Sequence, residues 1–445
     1  MSALNKGLDE SIITEISRRK REPRWMRELR FSCFKKYRQL EPPKWGPSLA
    51  GLDLKNLTNY VLASSAMVDD WEQVPIDIRN TFESLGIPEA ERNGLAGVGA
   101  QFDSELVYHN IKAAVAEQGV VFLGLEEAVR DLKYGPMVRE HFLKLVSPDE
   151  HLFMALHGAA WSGGSFVYVP KNTSVEFPLQ SYYRFNAPGA GQFEHTLIIM
   201  DEGADLHFIE GCSAPKYNVA NLHAGCVEIF VGKNARMRYS TVESWSKNMY
   251  NLNTKRATVA AGGKMEWISG SFGSHVSMLY PTTILAGKGA SSEYTGVSFA
   301  GNGQDLDTGA RVYHLASDTS STINSKSIAK DGGVNTFRSK VLVAKDAENC
   351  HSYTNCKTLM VDSLSKSDTI PEYDINNSTA NVAHEASVGK ISEEQIAYLQ
   401  SRGLSEVAAR SLIVCGFMKD ISKELPVEYA MEMNNMIKLE MESSS

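Results

Sequence analysis

The strongest constraint on the fold is a recurrence between about residues 160 and 375. Short runs rich in Val, Ile, Thr, Tyr and Phe are punctuated by small or polar turns: DEGADLHF, VGKNARMRYS, AAGGKMEWIS, AGKGASSEYT, LASDTSSTIN, AKDGGVNTF and VAKDAENCHS. Anchored on Ala204, Ala235, Lys264, Ala290, Thr319 and Ala347, the spacing is roughly 26 to 31 residues, the kind of period that stacked coils produce. Within one run, Met237, Tyr239 and Thr241 fall on one side of a strand, and Arg236, Arg238 and Ser240 on the other. A single turn of such a coil cannot bury its apolar face, so neighbouring turns must supply the core. No helical pattern of 10 to 15 residues intervenes between strands, which disfavours βαβ units. The pattern predicts a mainly β fold, a β-helix of about seven coils.

Two other regimes flank it. Residues 1–155 read as mostly helical, because Ile12, Ile13, Ile16, Met26, Leu29 and Phe31 recur near helical spacing among Arg, Lys and Glu. LDLKNLTNYVL and the segment from Ser104 to Leu145 add short helices and strands. Pro42-Pro43-Lys44-Trp45-Gly46-Pro47 stops helix and reads as a linker. The basic cluster Arg18-Arg19-Lys20-Arg21 is a solvated helix face or a nucleic-acid contact, and the acidic remainder of the chain favours the first. Residues 156–387 hold the β-helix core. Residues 388–445 turn helical again: Gly403 serves as a C-cap, Ser405 as the next N-cap, and a last helix follows Pro426. Val407, Ala408, Leu412, Ile413, Phe417 and Ile421 form a broad apolar stripe, suited either to docking a partner or to capping the end of the solenoid.

Composition then excludes several classes of function. With 45 Lys and Arg against 53 Asp and Glu, the net charge of −8 lacks the basic footprint of a nucleic-acid binder. No run of about 18 apolar residues spans a membrane, and the N-terminus has neither an apolar leader core nor the acid-poor composition of a transit peptide. Six scattered cysteines (Cys33, Cys212, Cys226, Cys350, Cys356, Cys415) make no disulfide framework, so a reducing, cytoplasmic setting is expected. The pairs Gly232-Lys233, Gly263-Lys264, Gly287-Lys288 and Gly389-Lys390 are never followed by Ser or Thr, so no phosphate-binding P-loop exists. C-x-x-C, H-E-x-x-H and G-x-S-x-G are absent as well. If the chain needs ATP, a partner must bring the ATPase.

Four groups of residues carry candidate chemistry. Cys356 follows Cys350 and His351 in a turn of the coil, and His384-Glu385 lies near the end of the β region. Thiolate, imidazole and carboxylate all ligate iron, thiolate being the ligand of iron–sulfur clusters; a buried cysteine is equally a small hydrophobe. Cys212 sits beside a turn with Glu210 close by. Glu194, His223, Thr241 and Lys255 recur at inward or edge positions of the coil. Facing inward, they must be hydrogen-bonded or used; facing outward, they are solvated surface.

Long colinear motifs cover nearly the whole chain: EISRRKREPRWMRELR with PPKWGP, GQFEHTLIIMDEGA, IEGCSAP with NLHAGCVEIF, AKDAENCHSYTNC, and SDTIPEYDINNSTANVAHEASVGKISEEQIAYLQSRGLSE. Through them the sequence resembles the SufB/SufD family of scaffolds in SUF iron–sulfur cluster assembly. IEGCSAP and the cysteine of SYTNC favour the SufB branch. The resemblance implies a right-handed parallel β-helix, flanked by an N-terminal α/β region and C-terminal helices that dock the ABC-type ATPase SufC. It implies pairing with a SufD-like subunit or a second copy, with a transient iron–sulfur cluster forming at the junction. The family's cluster-forming cysteine falls on Cys356, its acidic ligand candidate on Glu385 and the histidine contributed across the pair on His384. Its sulfur acceptor falls on Cys212, and its sulfur path on Glu194, His223, Thr241 and Lys255.

A cysteine desulfurase system would supply persulfide, apo-proteins would receive the cluster, and reduced flavin is a possible further cofactor of the complex. On this reading the chain is a scaffold, not an enzyme. The alternatives are a SufD-like structural subunit without its own cluster, or an extracellular β-helix polysaccharide lyase. Two departures from the family stand out. Where many larger relatives carry an N-terminal cysteine pair, this chain has only Cys33, and Lys357 follows Cys356 where relatives often place Asp. A cation there depresses the thiol's pKa if its side chain turns toward the sulfur.

Overall fold

Each coil begins at a corner that few residue types can occupy. In the computed structural model, which describes residues 6–61, 68, 76, 95–215, 217–422, 434–435, 437–438 and 440–441, Gly203, Asn234, Gly262, Gly289, Asp318 and Asn349 all have φ between 55° and 70°. Each stands two residues before a strand: Asp205–Ser213, Arg236–Ser244, Lys264–Phe272, Ser291–Ala300, Ser320–Ala329 and His351–Met360. Left-handed backbone is open to Gly and tolerated by Asn and Asp, so the recurrence is the imprint of this corner. Strand register aligns Ala204, Ala235, Gly263, Ala290, Thr319 and Cys350, the residues just before these strands. The anchor Lys264 therefore falls one residue late, and Ala347 three residues early.

The strands stack in parallel into a solenoid of about eight turns, one more than the pattern suggested. One sheet has 10 strands. The other has 13, formed by two ladders that merge at Asp305–His314. Val276–Leu279 pairs with the first half of that strand and Thr282–Leu285 with the second. Between the walls lies an apolar interior of Phe208, Met237, Tyr239, Met265, Trp267, Tyr294, Ile323 and Phe337. Alternation along each strand puts Met237 and Tyr239 inside and leaves Arg236 on the outer surface.

The outer faces of the solenoid are covered as well. The described N-terminal part includes helices Glu10–Arg19, Arg24–Tyr37, Leu125–Arg130, Gly135–His141 and Leu152–Ala160 and the antiparallel pair Gly97–Phe102 and Glu105–Ile111. Ile13, Met26, Val129 and Met154 pack with Phe166, Leu197 and Cys226 on the outside of the 13-stranded sheet. The basic cluster divides: Arg18 and Arg19 pair with Glu15 on the surface, whereas Lys20 is buried between Glu126 at 2.5 Å and Glu105 at 3.1 Å. It is neither a uniform solvated face nor a basic patch.

Helices Glu393–Ser401 and Glu406–Ser422 lie along the outside of the 10-stranded sheet, where Ile396, Ala409, Val414 and Met418 meet Ile209, Val242, Ile268 and Val297. The expected caps hold: Gly403 has φ 93°, and the Ser405 hydroxyl accepts the Ala408 N–H at 3.2 Å. The buried stripe is Ala409–Val414–Met418, while Val407 and Leu412 of the expected stripe face solvent. The reason is that this helix is apolar on two sides and the sheet takes only one. The module flanks the solenoid and does not plug its end. The helix expected after Pro426 falls largely outside the described residues, as does the Ile421 side chain. Among the described residues no helix is long and apolar enough to cross a membrane.

Candidate functional site

Strand alternation carries polar groups into the interior wherever the inward positions are not apolar. On Asp205–Ser213, Leu206, Phe208, Glu210 and Cys212 share the inner face; on Arg236–Ser244, so do Met237, Tyr239, Thr241 and Glu243. Register pairs Glu210 with Thr241 and Cys212 with Glu243. From the opposite sheet Lys255 reaches across the interior. Its Nζ donates to Glu210 Oε1 at 2.7 Å and Thr241 Oγ1 at 2.9 Å, and lies 3.9 Å from Glu243 Oε1. Tyr239 donates its hydroxyl proton to Glu210 Oε2.

The network continues through Asn251, whose Nδ2 donates to Glu243 Oε2 at 2.6 Å and whose Oδ1 accepts from His223 Nδ1 at 2.9 Å. His223 Nε2 then donates to Glu194 Oε1 at 2.5 Å. All five residues expected near the sulfur entry are therefore buried: Lys255 and Thr241 belong to one hydrogen-bonded group, His223 and Glu194 to another, and the 3.9 Å Lys255–Glu243 ion pair links the two, with Cys212 in register beside them. The solvated alternative fails.

Such a buried array is costly unless each charge is compensated. Burial opposes protonation of His223, but Glu194 outweighs it and raises the imidazole's pKa. For Lys255, burial likewise opposes the charge and Glu210 and Glu243 overcome it. Burial raises the Glu243 carboxyl. Burial, then Glu210 and Glu243, push the Cys212 thiol well up, with Lys255 pulling the other way. Glu194 Oε2 and Glu243 Oε1 accept no hydrogen bond among the described residues. These are two buried acceptors with lone pairs to spare.

From Cys212 the inner positions run down the solenoid in register: Cys212, Glu243, Ser271, Ser298, Ser327, Thr358. The neighbouring inward row is Glu210, Thr241, Ser269, Gly296, Ser325, Cys356. Beyond Glu243, small hydroxyl residues and one glycine thus fill the rows that lead to Cys356. Ser298 donates to Ser327 Oγ at 3.3 Å and Ser367 to Thr358 Oγ1 at 3.1 Å, while Ser271 Oγ lacks a partner among the described residues. Five strand steps separate the cysteines, about 24 Å at the usual strand spacing.

Cys356 lies at the far end. It is 4% exposed, and its Sγ is 3.7 Å from His384 Nε2 and 3.9 Å from Thr369 Oγ1. Burial raises its thiol pKa. Lys357 leaves on the other face of the strand and contributes nothing to that shift, so the expected activation by this cation does not occur. His384 is exposed and tilts against Tyr373 at 5.9 Å. Glu385, the next residue in the strand, must point to the opposite face, where Tyr353 donates to its Oε2 at 3.0 Å. Within one chain, Cys356 and His384 come together and Glu385 does not join them.

Both strands beside this site are edges. Among the described residues, Lys366–Ile375 pairs only with Val334–Val343, and Asn381–Lys390 only with His351–Met360. Ile370, Ile375 and Val388 are exposed there. Sequence reading passed over Glu243, Asn251 and the serine rows; their only signal was strand parity, which needs the register to be used.

A family model described as the SufBD core domain of SUF-system iron–sulfur cluster assembly matches residues 183–417. The iron–sulfur cluster assembly protein SufB of Bacillus subtilis is 47% identical over 439 residues, covering 99% of this chain and 94% of its own. An iron–sulfur cluster assembly SufBD family protein of Staphylococcus epidermidis is 47% identical with the same coverage. Its counterpart in Staphylococcus saprophyticus is 46% identical, again over 99% of this chain and 94% of its own.

Proposed function

Because the chain belongs to the SufB/SufD family of SUF iron–sulfur cluster assembly proteins, we propose that it is the scaffold that accepts persulfide sulfur at Cys212 and builds a cluster at Cys356. The observation that carries this reading is the pair of in-register inner rows joining the two thiols, lined by Ser, Thr and Gly instead of the Met and aromatic residues above them. The Cys212 thiolate attacks the outer sulfur of a donor persulfide. The donor's S–S bond breaks, its thiolate leaves, and Cys212 becomes the persulfide. Glu243, paired with Cys212 in register, accepts the thiol proton, and Lys255 balances the charge.

Two electrons and a proton convert the Cys212 persulfide to thiol plus hydrosulfide, the reductant being reduced flavin within the complex. Hydroxyls of Ser271, Ser298, Ser327 and Thr358 then donate hydrogen bonds to the passing anion. Glu194 and His223 hold the proton supply at the entry. Iron is gathered at the other end by Cys356 with His384, and Glu385 enters the ligand set only from a second β-helix.

The bare edges of Lys366–Ile375 and Asn381–Lys390 support pairing there with a SufD-like subunit or a second copy, since solenoids need their ends covered. The ATPase docks on the C-terminal helices, whose Val407, Leu412 and Tyr398 remain exposed; closure of two ATPase subunits would open the junction between β-helices. Anaerobic reconstitution with iron and a persulfide donor tests the assignment. Cys356→Ser should load sulfur on Cys212, fold normally and form no cluster. Assembly at the parent rate would overturn it.

A further inference from the structure

Away from the sulfur path, on the outer face of the 13-stranded sheet, a second group of donors is fully enclosed. His157 on the helix Leu152–Ala160, His195 at the start of His195–Met200 and Cys226 at the start of Cys226–Val231 each offer a ligand atom, all within 4.8 Å of one another. His195 and Cys226 are in register on neighbouring strands. None of the three is more than 1% exposed. Phe142 stacks on the His195 ring at 4.1 Å, and Trp161 stands edge-on at 6.5 Å.

Proton accounting makes the cluster unusual. His157 Nδ1 lies 2.9 Å from the Ala224 carbonyl, which can only accept, so Nδ1 carries the hydrogen and Nε2 of the neutral ring is a bare lone pair. That Nε2 is 3.0 Å from His195 Nδ1. On the other side, His195 Nε2 is 3.2 Å from Glu228 Oε2. The Glu228 carboxylate already accepts the backbone N–H groups of Leu143, Leu145 and Val146, as an anion would.

If neutral His195 keeps its hydrogen on Nδ1, its bare Nε2 faces the carboxylate; if it keeps it on Nε2, two bare nitrogens face each other. Either neutral form sets lone pair against lone pair in a dry site, which is costly. A cation between the rings removes the conflict. It takes His157 Nε2 and His195 Nδ1 as ligands and leaves the His195 Nε2–H facing the Glu228 carboxylate at 3.2 Å, close to the carboxylate–histidine–metal arrangement that orients metal-bound imidazoles. Cys226 supplies a thiolate that a merely protonated histidine would not need.

We propose that His157, His195 and Cys226 form a buried site for a divalent cation of the zinc class, stapling the N-terminal helices to the solenoid. Two imidazoles and a thiolate suit a borderline-soft ion and not Mg²⁺ or Ca²⁺. Because the donors come from one helix and two neighbouring coils, binding stabilises only the assembled structure. The site is separate from the iron and sulfur handled at Cys212 and Cys356, and the inference stands whether or not that assignment holds.

The test uses the full chain with Cys212, Cys356 and Cys415 changed to Ser, so that the thiols of the sulfur path and the partly exposed cysteine are silent. Anaerobic Co²⁺ titration should give a near-ultraviolet thiolate-to-cobalt band saturating at one ion per chain and bleached by Zn²⁺. Adding Cys226→Ala, an apolar replacement chosen to preserve packing, should abolish the band, and His157→Gln should weaken Co²⁺ binding at least tenfold. Zn²⁺ should raise the melting temperature of the parent background and not of the Cys226→Ala chain. A folded parent background with no such band, or a band that survives Cys226→Ala, overturns the proposal. If that variant fails to fold, undiminished Co²⁺ binding by His157→Gln overturns it equally.

Discussion

Lys255 and Glu210 meet across the solenoid interior, Nζ to Oε1 at 2.7 Å, from strands belonging to different sheets. The contact ties the two walls together at the height where Cys212 and Glu243 also face inward. Its geometry explains how a lysine survives 6% exposed: Glu210, Thr241 and Glu243 share its ammonium, and the Tyr239 ring lies 5.3 Å away.

Removing that cation strands the carboxylates. Lys255→Met should cost about 3–5 kcal/mol in urea unfolding, the usual result of leaving a buried charge unpaired. Lys255→Met with Glu210→Gln should recover a good part of the loss, since both members of the pair are then neutral. A single variant as stable as the parent would mean that Glu210 is not carrying a charge.

The serine rows make a separable prediction. Ser327 accepts from Ser298 at 3.3 Å one strand before Cys356, so Ser327→Val replaces a hydroxyl by methyls without adding length. Loss of one hydrogen bond to a passing anion is worth about 1.5 kcal/mol, about tenfold in rate. Persulfide loading at Cys212, followed by mass spectrometry, should be unchanged while cluster formation slows. Equal slowing of both steps would place the defect at entry or in the fold.

Acid sensitivity is built into the interior. His314 is 0% exposed, held between Thr319 Oγ1 at 2.8 Å and Ser321 Oγ at 3.0 Å, and burial lowers its pKa to about 4. Its folded value lies below the unfolded one of about 6.5. The unfolded chain therefore binds the proton first as pH falls. Stability attributable to this neutral ring is complete above about pH 6.5 and is lost as pH drops toward 4, with a slope of at most about 1.4 kcal/mol per pH unit. Urea unfolding at pH 7, 6 and 5 should show a shallower decline for His314→Gln than for the parent. An identical decline in both would show that His314 titrates normally.

What could be read in the sequence, and what could not, follows from the range of each interaction. The corner residues Gly203, Asn234, Gly262, Gly289, Asp318 and Asn349 answer to local backbone geometry, so the coil and its period stood out. The anchors Lys264 and Ala347 slipped because spacing alone does not reveal register. Parity along one strand put Thr241 on the same side as Met237 and Tyr239, yet Lys255 and Glu210 lie 45 residues apart and meet only once two walls are closed. Parity also separates His384 from Glu385, since adjacent strand residues face opposite ways; family resemblance had grouped them. The His157–His195–Cys226 cluster has no sequence signature, as a helix and two coils must dock to form it.

The open end of the solenoid gives the remaining prediction. Among the described residues, Asn381–Lys390 and Lys366–Ile375 each pair on one side only, leaving open strand edges beside Ile370, 41% exposed, and Val388, 56% exposed. Pro371 lies within the latter strand, a residue that edge strands accept because it cannot donate to a ladder. A second β-helix covering this end would bury those side chains and bring its own polar groups close to Cys356 and His384. Val388→Lys together with Ile370→Lys puts unpaired charge into that contact, at a cost of about 3 kcal/mol or more, equivalent to at least a hundredfold weaker pairing. Light scattering on the purified chain, alone and with a SufD-like subunit, should show a pair in the parent and separated subunits in the double variant. Cluster reconstitution should fall in parallel, although Cys212, Cys356 and the serine rows are untouched. A variant that still pairs, or that separates and yet assembles cluster at the parent rate, would show that the cluster does not form where two β-helices meet.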